Sequence, residues 1–366
     1  MYPLDLGYKM PAEWSPHQCT LISWPVQATM CYPQDYQRVC RGYAAIIEAI
    51  AEFEPVIVVV RPDDLDTAGS YLGGAGVKFL VVDHDDAWLR DNGPTFVIDH
   101  RGRVAGINWR FNAWGEKYPA WDKDDRLAAT ILEAMQVTRF DAPLVMEGGS
   151  IHVDGEGTML TTEECLLNPN RNPGLDRTRI QEYLSLYLGI DKVIWLKRGL
   201  EGDETDGHID NLACWAGPGR VLLQACDDPR DDNYLITVES REILRQSTDA
   251  RGRTLEIIEI PQPPPQYHEG RRLTLSYLNF YFVNGGIILP VFGGEAQSTD
   301  IQAVQILGRT FPERRVRTVD GLAIVREGGN VHCMTQQVPA GLGAGSPMLL
   351  RLQSLPRSIR EGNPDR

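Results

Sequence analysis

A hairpin that recurs along the chain constrains its fold more than any other feature. Thr95–Asn108, Ser150–Leu160, Leu212–Leu223 and Phe280–Pro290 each read as a strand, a glycine-bearing turn and a second strand, and Asn330–Thr335 is a shorter relative. Asp154-Gly155 and Asn284-Gly285 are strong hairpin signals, because the tight turn needs φ > 0 and these residues tolerate it. The units start about 50–70 residues apart, a period typical of repeat architectures. Most are separated by a helix and a strand. A helix is expected over 35–53, where Tyr36, Val39, Tyr43, Ile46, Ile47 and Ile50 fall at helical spacing. Strands follow at Val56–Val60 and Val77–Asp83, and further helices near 124–136, 176–188, 237–247 and 299–308. The pattern points to a repeat that closes around an axis, with a generic α/β sheet bearing several hairpins as the alternative.

The 366 residues, 42% of them hydrophobic, suffice for a large core. They read as a single catalytic domain, 1–366, built of five repeated modules. Pro261–Pro265 is a stiff loop rather than a boundary, and the polar tail 357–366 is expected to be flexible. A net charge of −14 argues against nucleic acid and anionic membrane as partners and favours a cationic ligand. No apolar run reaches the 18 residues of a membrane span, and the N-terminus lacks the basic-then-apolar pattern of a signal peptide. Seven scattered cysteines, an odd number with no CxxC pair, make a disulfide framework or structural zinc site unexpected. The expected compartment is the cytoplasm.

A polar cluster sits at or just before the first strand of each unit: Trp88–Pro94, Met146–Gly149, Asp203–Asn211, Tyr277–Asn279 and Glu327–Cys333. In a radial arrangement these clusters converge at one end of the axis, and their glycines admit close approach. On an extended chain His208 and Asp210 face one pocket, although the same segment could be an acidic surface turn. A lone cysteine is usually a small buried hydrophobe, and six of the seven are expected to be so. Cys333 differs, because Gly328, Gly329, Asn330, Thr335 and Gln336 surround it with polar and minimal side chains. On a strand, His332 would point away from Cys333. The distant His208 is therefore the better partner for the thiol, with His332 packed behind the sheet.

These motifs resemble the agmatine deiminase family of the guanidino-modifying pentein superfamily. The matching stretches are Trp88–Pro94, Glu147–Ser150, Leu160–Pro173, Asp203–Asn211, Tyr277–Tyr281 and Gly328–Gln337, and the likeness runs from Pro11-Ala-Glu-Trp14 to about Pro339. The resemblance implies an α/β fold, a five-bladed pseudo-symmetric propeller of ββαβ modules, and a homo-oligomer of two or more chains. It implies Cys333 as nucleophile, His208 as acid and base, and Asp91 and Asp210 as the carboxylates that clamp a guanidinium. Glu147 would support the histidine and the substrate, Glu204 the distal amine of agmatine, and Trp88 would line the channel. Asn279 and Asn330 are further substrate-binding candidates. Two departures bear on the rest of the substrate. Many members have three glycines before the Asn-X-His-Cys run, and here the first is Glu327. Members typically carry an Arg-X-Asn-Trp-like stretch after Trp-Pro, and here Trp24-Pro25 is followed by Val26–Cys31.

The chemistry suits these residue types. A guanidinium is planar, and two carboxylates in its plane accept its N–H groups. Its central carbon is a poor electrophile, so a thiolate and a covalent intermediate split a hard step into two easier ones. Neither a metal nor an organic cofactor is needed. The rival readings are deimination of free or peptidyl arginine, amidinotransfer, and a non-catalytic binding protein for cationic metabolites. Free arginine would require a cation for its α-carboxylate; Arg90 and Arg110 lie near the first cluster without a motif reason to serve.

Overall fold

Five small sheets follow one another around the molecule. The computed structural model describes residues 1–341; the tail 357–366 lies outside them. In the first sheet, Thr95–Asp99 and Val104–Arg110 form an antiparallel hairpin, the helix Asp124–Ala134 crosses over, and Thr138–Val145 returns parallel to the second strand. The second repeats this with Ile151–Val153, Thr158–Thr162, helix Arg177–Leu188 and Lys192–Leu196. The third has Ala213–Gly217, Arg220–Ala225, helix Asn233–Gln246 and Glu256–Pro261. The fourth has Tyr281–Val283, Gly286–Val291, helix Gln297–Thr310 and Arg315–Asp320. Each is a ββαβ blade of an α/β propeller.

The fifth blade differs from the expectation of a local hairpin at Asn330–Thr335. Val331–Met334 is a single helical turn, and the strand begins only at Thr335. Its antiparallel partner is His17–Ser23, from the other end of the chain, with Thr335 opposite Ile22. The helix Tyr36–Ala51 then leads to Val56–Val60, parallel to His17–Ser23, and Lys78–Val81 adds a fourth strand. The ring is thus closed by pairing two distant segments, which no local sequence window displays.

Local chemistry explains these elements. Parallel pairing requires a crossover, here a helix. Thr158–Thr162 and Val56–Val60 are buried along their whole length, as strands covered on both faces must be. The helix Tyr36–Ala51 buries Val39, Tyr43, Ile46, Ile47 and Ile50, the stripe its spacing predicts. Asp176 caps Arg177–Leu188 by accepting the Arg179 N–H, and Gly189 ends it at φ +70°. In the second hairpin, Gly155 takes φ +74° while the Asp154 carboxylate accepts the N–H groups of Glu156 and Thr158. Pro261 ends the last strand of the third blade, and residues 262–266 are irregular. A two-stranded ribbon, Tyr267–His268 with Arg271–Arg272, follows.

Four of the five polar clusters become single helical turns, Leu89–Asn92, Gly148–Ser150 and Ile209–Asn211 immediately before hairpins and Val331–Met334 before the closing strand Thr335–Pro339. These turns touch one another in a chain around one end of the propeller. No described helix is long and apolar enough to cross a membrane.

The closing strand supplies a test of the architecture. Leu21 on His17–Ser23 is fully buried, whereas Leu235 on the third-blade helix is 65% exposed. Leu21→Ala is expected to cost about 2–5 kcal/mol in urea or thermal unfolding, and Leu235→Ala to stay within about 0.5 kcal/mol of the parent. Equal effects would contradict the placement of this strand.

Candidate active site

Cys333 sits in the turn Val331–Met334, 6% exposed, and lines a cleft open to solvent. Asn330 caps this turn: its Oδ1 accepts the Val331 N–H at 3.1 Å and its Nδ2 donates to the Gly321 carbonyl at 3.1 Å. Asn330 thus holds the turn that carries the nucleophile. Asn279 also turns toward the cysteine rather than the cleft. Its Nδ2 lies 3.1 Å from Cys333 Sγ, and its Oδ1 accepts the His332 N–H at 3.0 Å.

The carboxylates and histidine surround the thiol. Asp210 Oδ2 is 3.5 Å from Cys333 Sγ and accepts from His332 Nδ1 at 2.9 Å, while its Oδ1 is buried and has no hydrogen-bond partner. Asp91 accepts the Gly149 N–H at 2.9 Å through Oδ1 and the Trp114 indole N–H at 2.9 Å through Oδ2. His208 is fully buried, with Nδ1 3.9 Å from Asp91 and Nε2 3.9 Å from Glu147, and neither nitrogen has a hydrogen-bond partner. Asp203–Asn211 is not extended as its i, i+2 pattern suggested. His208 instead precedes the turn Ile209–Asn211, which still brings Asp210 to the same site. Gly149 makes the clearing between them: a Cβ there would lie 2.6 Å from His208 Nδ1, 2.9 Å from Asp91 Oδ1 and 3.0 Å from Asp210 Oδ2.

Burial and neighbouring charge set the protonation states. Burial pushes the Asp91 carboxyl up to about 6; His208 opposes this, and the like charges of Asp210 and Glu147 add to it. Burial also raises Asp210, but the hydrogen bond and charge of His332 outweigh it and hold the carboxyl below its usual range. His208 is disfavoured as a cation by burial, yet Asp91, Cys165 and Glu147 raise it well above its ordinary value. The Cys333 thiol is raised well above the usual range by burial and then by Asp210 and Asp91.

The remaining expected residues line the approach. Trp88 walls the cleft and crowds Gly329, where a Cβ would meet its ring at 2.6 Å and Cys333 Cβ at 2.9 Å. Glu204 stands at the rim, 29% exposed, accepting from Tyr118 at 3.0 Å and paired with Arg271. Glu147 is fully buried and lies under His208 rather than along the cleft; Arg171 holds it at 2.7 Å.

The two departures from the family pattern meet at the rim: Glu327 accepts the Tyr32 N–H at 3.2 Å, and Cys31 Sγ lies 3.9 Å from the Glu327 carbonyl. Cys31 is exposed, so five cysteines rather than six are buried alongside Cys333. His332, expected behind a strand, lies on a helical turn and bonds the same Asp210 oxygen that Cys333 approaches.

Several contributors carried no assigned role in the sequence. Arg171 lay within the Leu160–Pro173 motif and Glu13 within Pro11–Trp14, so position alone marked them. Trp114 and Tyr118 follow the first hairpin and had no motif. Among the described residues, Glu147, Cys165 and His208 form one group with spacing suited to a metal ion. The Arg171 guanidinium on Glu147 already supplies positive charge there.

Comparison with known proteins adds the following. A sequence model of the Porphyromonas-type peptidyl-arginine deiminase family matches residues 9–339. Agmatine deiminase of Pseudomonas aeruginosa (strain UCBPP-PA14) is 44% identical over 361 aligned residues, spanning 91% of this chain and 96% of the relative. Agmatine deiminase of Stutzerimonas stutzeri (strain A1501) is 44% identical, with 92% and 97% covered. Among solved structures, agmatine deiminase of Enterococcus faecalis has a TM-score of 0.86 at 32% identity, covering 93% of this chain and 98% of that one. A cysteine-to-serine C. jejuni agmatine deiminase with substrate bound has a TM-score of 0.84 at 29% identity, covering 92% and 97%. The propeller is the fold of these deiminases.

Gly149→Ala tests the geometry of the clearing. The added methyl must displace His208, Asp91 or Asp210, and a misplacement of about 1 Å costs about 100-fold in rate. Loss of that order is expected with the unfolding midpoint shifted by only a few degrees. Activity retained within about threefold would contradict the geometry.

Proposed function

Because this chain belongs to the Porphyromonas-type peptidyl-arginine deiminase family, we propose that it hydrolyses agmatine to N-carbamoylputrescine and ammonia through an adduct on Cys333. One observation carries the reading. Asp210 Oδ1 and both ring nitrogens of His208 are buried and unpartnered, and His208 Nδ1, Asp91 Oδ1 and Asp210 Oδ2 border the Gly149 clearing beside Cys333. Unpaired buried polar atoms are costly, and a guanidinium fitted there supplies N–H groups to the carboxylate.

In this reading Asp91 and Asp210 hold the planar cation against Cys333. The thiolate attacks the central carbon and forms a C–S bond. His208, kept cationic by Asp91 and Glu147, donates a proton as the C–N bond breaks and ammonia leaves. The neutral imidazole then takes a proton from water, which attacks the thiouronium carbon. The C–S bond breaks as the hydroxyl of the adduct gives up its remaining proton to solvent, returning the thiolate and releasing the neutral ureido product. Two carboxylates, a base and a nucleophile thus divide the reaction by position. Glu204 at the rim supports an ammonium at the far end of the substrate. Free arginine fits less well: Arg90 is buried against Glu13 and the His332 carbonyl, Arg110 is paired with Asp125, and Arg271 is held by Glu204 and the Arg326 carbonyl. A cytoplasmic homo-oligomer belongs to the same reading.

Ammonia release should be fastest with agmatine among agmatine, arginine and peptidyl arginine, and absent in Cys333→Ala. Release only from arginine would overturn the substrate; none from any guanidine would favour a binding protein.

Two consequences follow from charge. Protonated Asp91 has no charge to pair with the guanidinium and accepts its N–H groups poorly, so binding is intact above about pH 6 and weakens as pH falls through it. The KM for agmatine should rise about tenfold per unit below that point; a KM independent of pH there would count against Asp91. The carboxylates that raise the Cys333 thiol are neutralised by a bound cation, so ligand should lower the thiol pKa. Thiolate absorbance of His208→Ala, titrated with and without agmatine, should show this; an unchanged or raised value would refute it.

A further inference from the structure

Behind Asp210 lies a second charged layer that the proposed chemistry does not use. His332 bridges two carboxylates: Nδ1 to Asp210 Oδ2 and Nε2 to Glu13 Oε1, both at 2.9 Å, with all three side chains buried. Glu13 in turn lies 3.4 Å from Arg90 Nη1 and 3.5 Å from His152 Nε2. Arg90 also donates to the His332 carbonyl at 3.3 Å. Arg90 and His332 are the chain neighbours of Asp91 and Cys333. One buried carboxylate from the N-terminal segment therefore ties together the turns that carry both.

We infer that Glu13 and His332 form a positioning relay that fixes Asp210 through its Oδ2, the oxygen that also borders the Gly149 clearing and Cys333 Sγ. This rests on the deiminase reading above. Each ring nitrogen faces a carboxyl oxygen at hydrogen-bond distance, and with both carboxyls held ionised by their neighbours each nitrogen must carry an N–H. Only the imidazolium carries both. The charged groups around His332 agree with this. Asp210 faces it from the turn before the third blade and Glu13 from the N-terminal segment. Arg90 faces it from the turn before the first blade, and the His152 ring stacks at 6.4 Å from the second blade. Burial and Arg90 disfavour the cation, yet the two carboxylates outweigh them and raise His332. Asp210 itself faces His332, His208, Cys333, Asp91 and Asp203. Without the His332 charge, its burial and the nearby acids push it toward the neutral carboxyl, which accepts a guanidinium poorly.

The sign of the effect follows. Removing the charge raises Asp210, so agmatine binding is lost at a higher pH than in the parent and regained as pH increases. His332→Asn keeps an amide N–H near Asp210 but no charge. Its acid limb in kcat/KM should move up by about one pH unit and steepen from one proton toward two, as Asp210 titrates with Asp91. The rise in KM should shrink at alkaline pH. Glu13→Gln should shift the limb the same way, and the double variant should do no more than His332→Asn alone. A uniform loss at every pH, an unmoved limb or additive effects would overturn the relay. Should the variants fail to fold, 15N NMR of histidine-labelled parent enzyme decides: His332 protonated on both nitrogens at neutral pH is expected, and a neutral ring there contradicts the inference. The two readings separate in these tests. A parent that makes no ammonia from agmatine removes the functional reading, while the NMR result still decides the relay.

Discussion

Several carboxylates and a thiol share one desolvated volume, and the surrounding structure is arranged to compensate for that burial. Asp91, Asp210 and Glu147 are each 5% exposed or less, close enough that their charges oppose one another. In a low dielectric such a group persists only with opposite charge or hydrogen bonds at hand. Arg171 answers Glu147, His332 answers Asp210, and His208 lies between Asp91 and Glu147. Asp91, with only an indole and a backbone N–H as hydrogen-bond donors, is the carboxyl pushed up to about 6. The compensation is incomplete at the clearing above Gly149, and that is where the proposed function places a planar cation.

The fold supplies the precision this requires. Single helical turns before three hairpins and before the closing strand Thr335–Pro339 project their polar residues toward a common end, each anchored by the sheet that follows. Asn330 and Asn279 fix the turn that carries Cys333 from below and from the side. Closure by His17–Ser23 against Thr335–Pro339 matters to the site as well as to the ring, because Glu13 and Cys333 lie only a few residues from that pair.

Much of this was legible in the sequence because it is local. The hairpins at Thr95, Ser150, Leu212 and Phe280 announce themselves by glycine turns and alternating apolar runs, and the polar clusters before them mark the site. The fifth blade was misread because its strands pair across more than 300 residues, and alternation within Asn330–Thr335 says nothing about a partner at His17. The same error placed His332 on a strand. The strand geometry that separated His332 from the thiol is therefore not the one present. The bond from His332 to Asp210 could not be foreseen without the helical turn. The capping role of Asn330 is not legible locally, because capping and binding demand the same residue type. Cys31 was assigned to the core because nothing local shows that the segment after Pro25 forms the rim of the cleft.

The central claim is that Cys333 forms a covalent bond to the guanidinium carbon. Intact-mass and peptide mass spectrometry of enzyme acid-quenched during turnover of agmatine tests it most directly. A mass increase equal to agmatine less ammonia, confined to the peptide containing Cys333, is the predicted result. Turnover that releases ammonia while Cys333 stays unmodified at every quench time, or that persists in Cys333→Ala, would contradict the account.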